Sequence, residues 1–160
     1  VELFAGTKLE DVAGKEVDPS SLEGKTVGLY FSAHWCPDCT PFTATLKDFY
    51  EEVNADGKRL EVVFVSSDNS DEEMKTYMKE SHGDWLFVPY AAPLREALKQ
   101  KFGAYAGKEQ EKWPRVERRN GIPCFLALNP DGSKFHDDMD EGRRQVADLG
   151  PSALGSWPVL

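Results

Sequence analysis

Cys36 and Cys39 are the residues of this chain best placed to do chemistry, because two thiols separated by two residues can close and open a disulfide with each other. They follow Trp35 and enclose Pro37 and Asp38. Immediately before them Val27-Gly28-Leu29-Tyr30-Phe31-Ser32 is short and mostly apolar, the pattern of a strand buried on both faces. Immediately after them Phe42, Leu46, Phe49, Tyr50 and Val53 recur at the spacing of one helix face. A strand-to-helix junction therefore carries both sulfurs. The first turn of a helix leaves backbone N–H groups unpaired and bears about half a positive charge, which favours a thiolate. Cys36, at the mouth, is the expected nucleophile. Cys39, one turn along and more buried, is the expected resolving thiol. Pro37 has no N–H to lose and stiffens the entry.

Competing uses of the pair are weaker. Three cysteines are too few for a disulfide scaffold, and Cys124 is left over as a small buried hydrophobe. A zinc site would need Cys124 and a histidine, but His34, His82 and His136 lack the spacing of a second ligand pair, so no metal is expected. The acidic run at residues 137–141 lacks the spaced oxygens and glycine of a calcium loop. A net charge of −9 repels phosphate backbones and anionic headgroups, which argues against nucleic acid or a membrane as partner. No apolar run approaches the ~18–20 residues that cross a bilayer. The 160 residues fit one domain, 1–160. The sequence starts at Val1 rather than Met, so a trimmed leader is compatible with it; a cytoplasmic location is the expectation.

The elements that position the pair follow from the same patterns. Val1, Leu3 and Phe4 with the turn at Ala13-Gly14-Lys15 suit a short hairpin or edge extension. Glu61-Val62-Val63-Phe64-Val65-Ser66 is a second buried strand, so strand, helix and strand form a right-handed unit with parallel strands. Ser70-Asp71-Glu72-Glu73 reads as a capping box opening a helix that buries Met74, Tyr77 and Met78. Pro93 starts another helix, with Leu94, Ala97, Leu98 and Phe102 inward and Gly103 as its stop. Residues 104–120 turn polar with a local charge of +2 and read as a solvated, mobile insertion loop. A strand at Cys124-Phe125-Leu126-Ala127-Leu128, the turn Asn129-Pro130-Asp131-Gly132, a return through Lys134-Phe135 and a helix over residues 141–149 complete the chain.

The run from Gly24-Lys25-Thr26 through Tyr30-Phe31-Ser32-Ala33-His34-Trp35-Cys36-Pro37-Asp38-Cys39, then Phe42-Thr43 and Phe49-Tyr50, resembles tryparedoxins and nucleoredoxins, a branch of the thioredoxin superfamily. Trp85-Leu86-Phe87-Val88-Pro89-Tyr90, Gly121-Ile122-Pro123 and Gly155-Ser156-Trp157-Pro158 look like later landmarks of that branch. The resemblance implies an α/β thioredoxin-like fold, a central mixed sheet flanked by helices, here with an N-terminal extension. It implies reduction of protein disulfides without metal or organic cofactor. The family's tryparedoxins take electrons from the dithiol trypanothione and pass them to peroxidases. By family pattern Pro123 is cis and faces the sulfurs, and Ile122 and Trp35 form the substrate platform. Asp38 departs from the family's second proline; its carboxylate disfavours a thiolate at Cys36, takes the proton of Cys39, or is a solvated Asp favoured by the dipole at the helix N-terminus. Tyr30 stands where thioredoxins proper keep a buried Asp. Two other readings stand beside the reductase: a non-catalytic redox-sensing or binding module, and an exported disulfide exchanger.

Overall fold

The computed structural model describes residues 2–160; Val1, assigned above to the N-terminal segment, lies outside them. A six-stranded mixed sheet runs through the molecule. Its strands are β1 (Leu9–Glu10), β2 (Glu16–Val17), β3 (Thr26–Ser32), β4 (Leu60–Ser66), β5 (Leu86–Phe87) and β6 (Cys124–Ala127), in the order β2-β1-β5-β4-β3-β6. β3 and β4 pair in parallel from Thr26 opposite Leu60 to Ser32 opposite Ser66, and β6 lies antiparallel on the other side of β3. The expected N-terminal hairpin forms around the turn at residues 13–15 as β1 and β2, which extends the sheet past β5, but Leu3 and Phe4 are not part of it and lie in a 3-10 turn, Glu2–Phe4.

All seven residues of β3 and of β4 are buried, so the apolar runs were free to be continuous. Alternation decides which core each side chain enters. Tyr30, Val62 and Phe64 join the helices α1 (Cys39–Val53) and α2 (Asp71–Ser81), while Leu29, Phe31, Val63 and Val65 meet α3 (Pro93–Phe102) and the N-terminal segment. The last helix, α4 (Glu141–Leu149), packs with α1 and β6. Two glycines permit close approaches here. A Cβ on Gly28 would lie 2.2 Å from the Phe125 ring, and one on Gly142 would lie 2.5 Å from the Phe125 carbonyl oxygen. Trp157 closes this side against Phe49 and Phe125.

Three local readings change. Ser70 caps α2 through the Glu73 N–H as expected, but the Glu73 carboxylate takes the N–H of Asn69 rather than that of Ser70. Ala97 is exposed, and α3 instead buries Arg95 and Lys99 with Leu98 and Phe102. After the turn at Asn129, the return is a single bridge, Leu128 to Lys134, with the Phe135 N–H on the Ala127 carbonyl.

His82, at the end of α2, is held against the rings of Phe64 and Tyr77, and its Nδ1 accepts a hydrogen bond from Trp85 Nε1 at 3.1 Å. Burial pushes this imidazole down to about 3. The unfolded chain takes up this proton near pH 6.5 and the native protein refuses it until near pH 3, so the unfolded state binds more protons between these values and native stability falls as pH falls. Between pH 7.5 and 4.5 this histidine is expected to remove about 2–3 kcal/mol. Urea unfolding of wild type and His82→Phe at both pH values measures it; equal pH dependence in the two would show that His82 carries none of the loss.

Candidate redox site

β3 ends at Ser32, and the chain turns through Ala33, His34 and Trp35 before α1 begins at Cys39. The Cys36 N–H bonds the Ala33 carbonyl and the Cys39 N–H bonds the Cys36 carbonyl, so the motif is wound into a tight turn ahead of the helix. All three cysteines are free thiols. Cys36 is 6% exposed and Cys39 is fully buried. Burial pushes the Cys39 thiol well up and the neighbouring Cys36 sulfur adds to this, against the Ser32 hydroxyl and the Ala33 N–H, which pull the other way. The Cys36 Sγ lies 3.9 Å from the Ile122 carbonyl oxygen. The Ile122–Pro123 peptide bond is cis, as the family pattern implied. A groove beside the motif is lined by Asp38, Pro41, Phe42, Pro123 and Arg143.

Trp35 is pinned on two sides. Its Nε1 donates to the Ser67 carbonyl at 3.0 Å, and Lys108 Nζ stands 4.0 Å from the ring centroid. The loop beneath is tied by Asp68, a buried carboxylate that accepts from the His34 N–H and the Ser66 hydroxyl, each at 2.6 Å. Burial raises the Asp68 carboxyl above its ordinary value, against those two donors.

Behind Cys39 lies a chain of hydroxyls whose polarity follows from counting protons. The Thr43 hydroxyl has one proton and points it at the Cys39 carbonyl, 2.7 Å away. Tyr30 at 2.7 Å and Tyr77 at 2.6 Å must then both donate to Thr43, which leaves Ser32 to donate to Tyr77 at 2.5 Å. Burial pushes Tyr77 up to about 12 and Tyr30 well above its ordinary value, so both phenols keep their protons. Tyr30 thus replaces the thioredoxin Asp with a donor rather than a base.

The remaining sequence expectations resolve as follows. Pro37 and Asp38 are exposed in the motif turn. Asp38 stands at the N-cap of α1 without a side-chain capping bond, and the groups pulling on Cys39 are Ser32 and Ala33; the expected proton transfer to Asp38 has no contact behind it. His34 is exposed, with its ring Nε2 3.2 Å from Glu80 Oε1. Cys124 is fully buried, with its thiol pushed up to about 12 by burial, in line with a packing role.

Residues 104–120 are a solvated loop only in part: Ala104–Ala106 and Glu109 are buried, while most of residues 111–119 are exposed. Ala104 and Asn120 bridge in parallel, Gly107–Lys112 forms a 3-10 turn, and Tyr105 is buried under Trp113. The cause is Lys99, buried on α3, which draws Glu109 inward to 2.7 Å. Glu109 also accepts from the Ser67 hydroxyl and the Ala106 N–H. Sequence patterning missed Ser67, Asp68, Lys99, Thr43 and Glu109. One signal for the first two was present: a polar Ser66-Ser67-Asp68 at the end of an apolar strand lies at the same sheet edge as the end of its parallel neighbour β3, where the cysteines are.

A mixed sheet with a CxxC pair at the strand-to-helix junction, and the carbonyl of the residue before a cis-proline beside the first sulfur, defines a thioredoxin-fold protein. The sequence matches the thioredoxin-like family over residues 24–134, and the chain belongs to that family, in its tryparedoxin and nucleoredoxin branch. It is 37% identical over 132 residues to nucleoredoxin of Mus musculus, covering 82% of this chain and 26% of the relative, so it spans about a quarter of that longer protein. Among solved structures it is similar to a thioredoxin of Wuchereria bancrofti, with 38% identity, a TM-score of 0.70 and coverage of 96% of this chain and 94% of the other. Tryparedoxin of Trypanosoma brucei gives 30% identity and a TM-score of 0.73 over 98% and 96% of the two chains. A tryparedoxin II solved in complex with glutathionylspermidine gives 29% identity and a TM-score of 0.71, with coverage of 98% and 96%. These are thiol oxidoreductases by family, and a redox role follows for this chain in general terms.

Proposed function

We propose that this chain reduces protein disulfides by dithiol exchange through Cys36 and Cys39. The observation that carries the reading is the asymmetry of the pair: Cys36 keeps a little surface beside a backbone carbonyl, and Cys39 is fully buried behind it with its pKa pushed up by burial. The Cys36 thiolate attacks one sulfur of the partner disulfide; that S–S bond breaks, and the leaving sulfur takes a proton. Cys39 then loses its proton, bonds to Cys36 and expels the second partner sulfur, which is protonated in turn. Two electrons pass from the dithiol to the partner. Ser32, whose hydroxyl faces both Tyr77 and Cys39, meets the negative charge that develops on Cys39 by turning its one proton from Tyr77 to the sulfur.

Trp35 and the Ile122-Pro123 edge form the platform for the partner's backbone, and Pro37 and Asp38 form the exposed rim. A peroxidase is one protein partner this reading allows. A low-molecular-weight dithiol restores the reduced state, trypanothione where the organism makes it; the tryparedoxin complexed with glutathionylspermidine supports a donor of this kind. No cofactor is called for, and the cytoplasm is the compartment proposed. In an insulin-reduction assay with dithiothreitol, wild type is expected to turn over, and Cys36→Ser is expected to fall to the background rate, a loss on the order of 10³-fold or more. A wild type no faster than dithiothreitol alone, with its structure intact, would instead favour a redox-sensing or binding module.

A further inference from the structure

We infer that Lys108 and Arg118 are specificity-determining residues that favour disulfides flanked by acidic groups. The inference rests on the proposal that Cys36 attacks a partner disulfide. Lys108 lies over the indole of Trp35, the residue next to the nucleophile, with its Nζ 4.0 Å from the ring centroid and 2.8 Å from the Asn69 Oδ1. Arg118 lies beside Gly121. A Cβ on Gly121 would sit 2.6 Å from its Nη2 and one on Gly107 3.7 Å away, which puts the guanidinium between the Gly107–Lys112 turn and the residue before Ile122. Two cations thus border the two segments, Trp35 and Gly121-Ile122, that flank the Cys36 sulfur.

Neither charge is neutralised locally. Among the described residues neither Lys108 nor Arg118 makes an ion pair; Lys108 donates to an amide oxygen and Arg118 to the Tyr105 carbonyl. The neighbouring Lys99 shows the contrast, since Glu109 pairs with it and is buried doing so. That buried pair fixes the backbone on either side of Lys108, so the ammonium is carried on a rigid turn. The cations also stand against the composition. In a chain of net charge −9 the long-range field repels anions, and only charges held close to the sulfur can select them. Asp38, exposed in the motif, gives the rim a mixed sign and makes the order of charge along a bound peptide matter.

Stopped-flow rates of the reduced protein with three small disulfides test this: glutathione disulfide as the anion, cystamine as the cation and 2-hydroxyethyl disulfide as the neutral reference. The anion-to-neutral rate ratio is expected to fall about threefold in Lys108→Gln and about tenfold in Lys108→Glu, with the cation-to-neutral ratio moving the opposite way. Arg118→Gln is expected to act in the same direction as Lys108→Gln, and added salt to shrink every difference. Lys15→Gln, in the turn of the hairpin that ends the sheet, is the control for net charge and is expected to leave both ratios unchanged. Ratios that do not move in Lys108→Glu, or that move as far in Lys15→Gln, overturn the inference. A wild type that fails to reduce even the neutral disulfide removes the underlying redox proposal and this inference with it, and is recognised separately for that reason.

Discussion

Replacing Cys39 with serine is expected to stop the reaction half-way, leaving the partner bound to Cys36 through a disulfide that the protein itself cannot release. Cys36 is the sulfur with surface, at 6% exposure, and it lies against the Ile122 carbonyl, so the first bond forms there. The thiol held behind it is Cys39, which is fully buried and in hydrogen-bond contact with Cys36. In wild type, release is intramolecular, with Cys39 pre-placed at high effective concentration. In Cys39→Ser, release depends on free thiol in solution, and turnover is expected to fall on the order of 10³-fold. Non-reducing electrophoresis and intact mass should find a one-to-one adduct in Cys39→Ser and none in Cys36→Ser. An adduct formed equally well by Cys36→Ser would invert the assigned roles. Turnover that survives in Cys39→Ser would mean that a single thiol suffices. The serine hydroxyl keeps the volume and a donor in place of the thiol, so loss of fold is not the competing explanation.

The parts of this arrangement legible in the sequence are those written by local periodicity. The apolar runs of β3 and β4 need no partner to be recognised, because burial on both faces confines polar residues to positions at or near the strand ends, Thr26 and Ser32 in β3 and Glu61 and Ser66 in β4. The stripe Phe42, Leu46, Phe49, Tyr50, Val53 gives α1, and the junction between the two patterns locates the cysteines. The polar framework behind the site was not legible, for a physical reason. Thr43 and Tyr77 sit at helical positions that packing alone would explain, and only the meeting of α1, α2 and β3 turns their hydroxyls into one chain. Lys99 misleads more strongly. A lysine next to Leu98 in a charged helix reads as solvated, yet the position faces inward because Glu109, ten residues on, returns to meet it. Neither partner is intelligible alone. The same pair explains why a basic, hydrophilic segment folds down where the sequence suggested a mobile loop.

Glu109→Ala is therefore expected to be the most destabilising substitution outside the apolar core, at about 3–5 kcal/mol. The Lys99 side chain is fully buried and that of Glu109 is 6% exposed. Burial alone would raise the Glu109 carboxyl, but Lys99, the Ser67 hydroxyl and the Ala106 N–H together hold it below its ordinary value. Its ion pair is thus fully present above the ordinary glutamate range and is lost as pH falls through the lower native value. Removing the carboxylate strands the ammonium with the Ser66 carbonyl as its main remaining acceptor and frees the Ser67 hydroxyl and the Ala106 N–H. An unpaired buried charge costs more than an absent pair, so Lys99→Met combined with Glu109→Leu is expected to recover part of the loss. The Ser66 carbonyl keeps Arg95 in that double variant, which limits its penalty to the orphaned Ser67 and Ala106 groups. Urea midpoints of the three proteins at pH 7 decide the matter. A Glu109→Ala protein within about 1 kcal/mol of wild type, or a double variant at least as unstable as Glu109→Ala, would mean that the turn is held by its apolar contacts and that the ion pair only accompanies them.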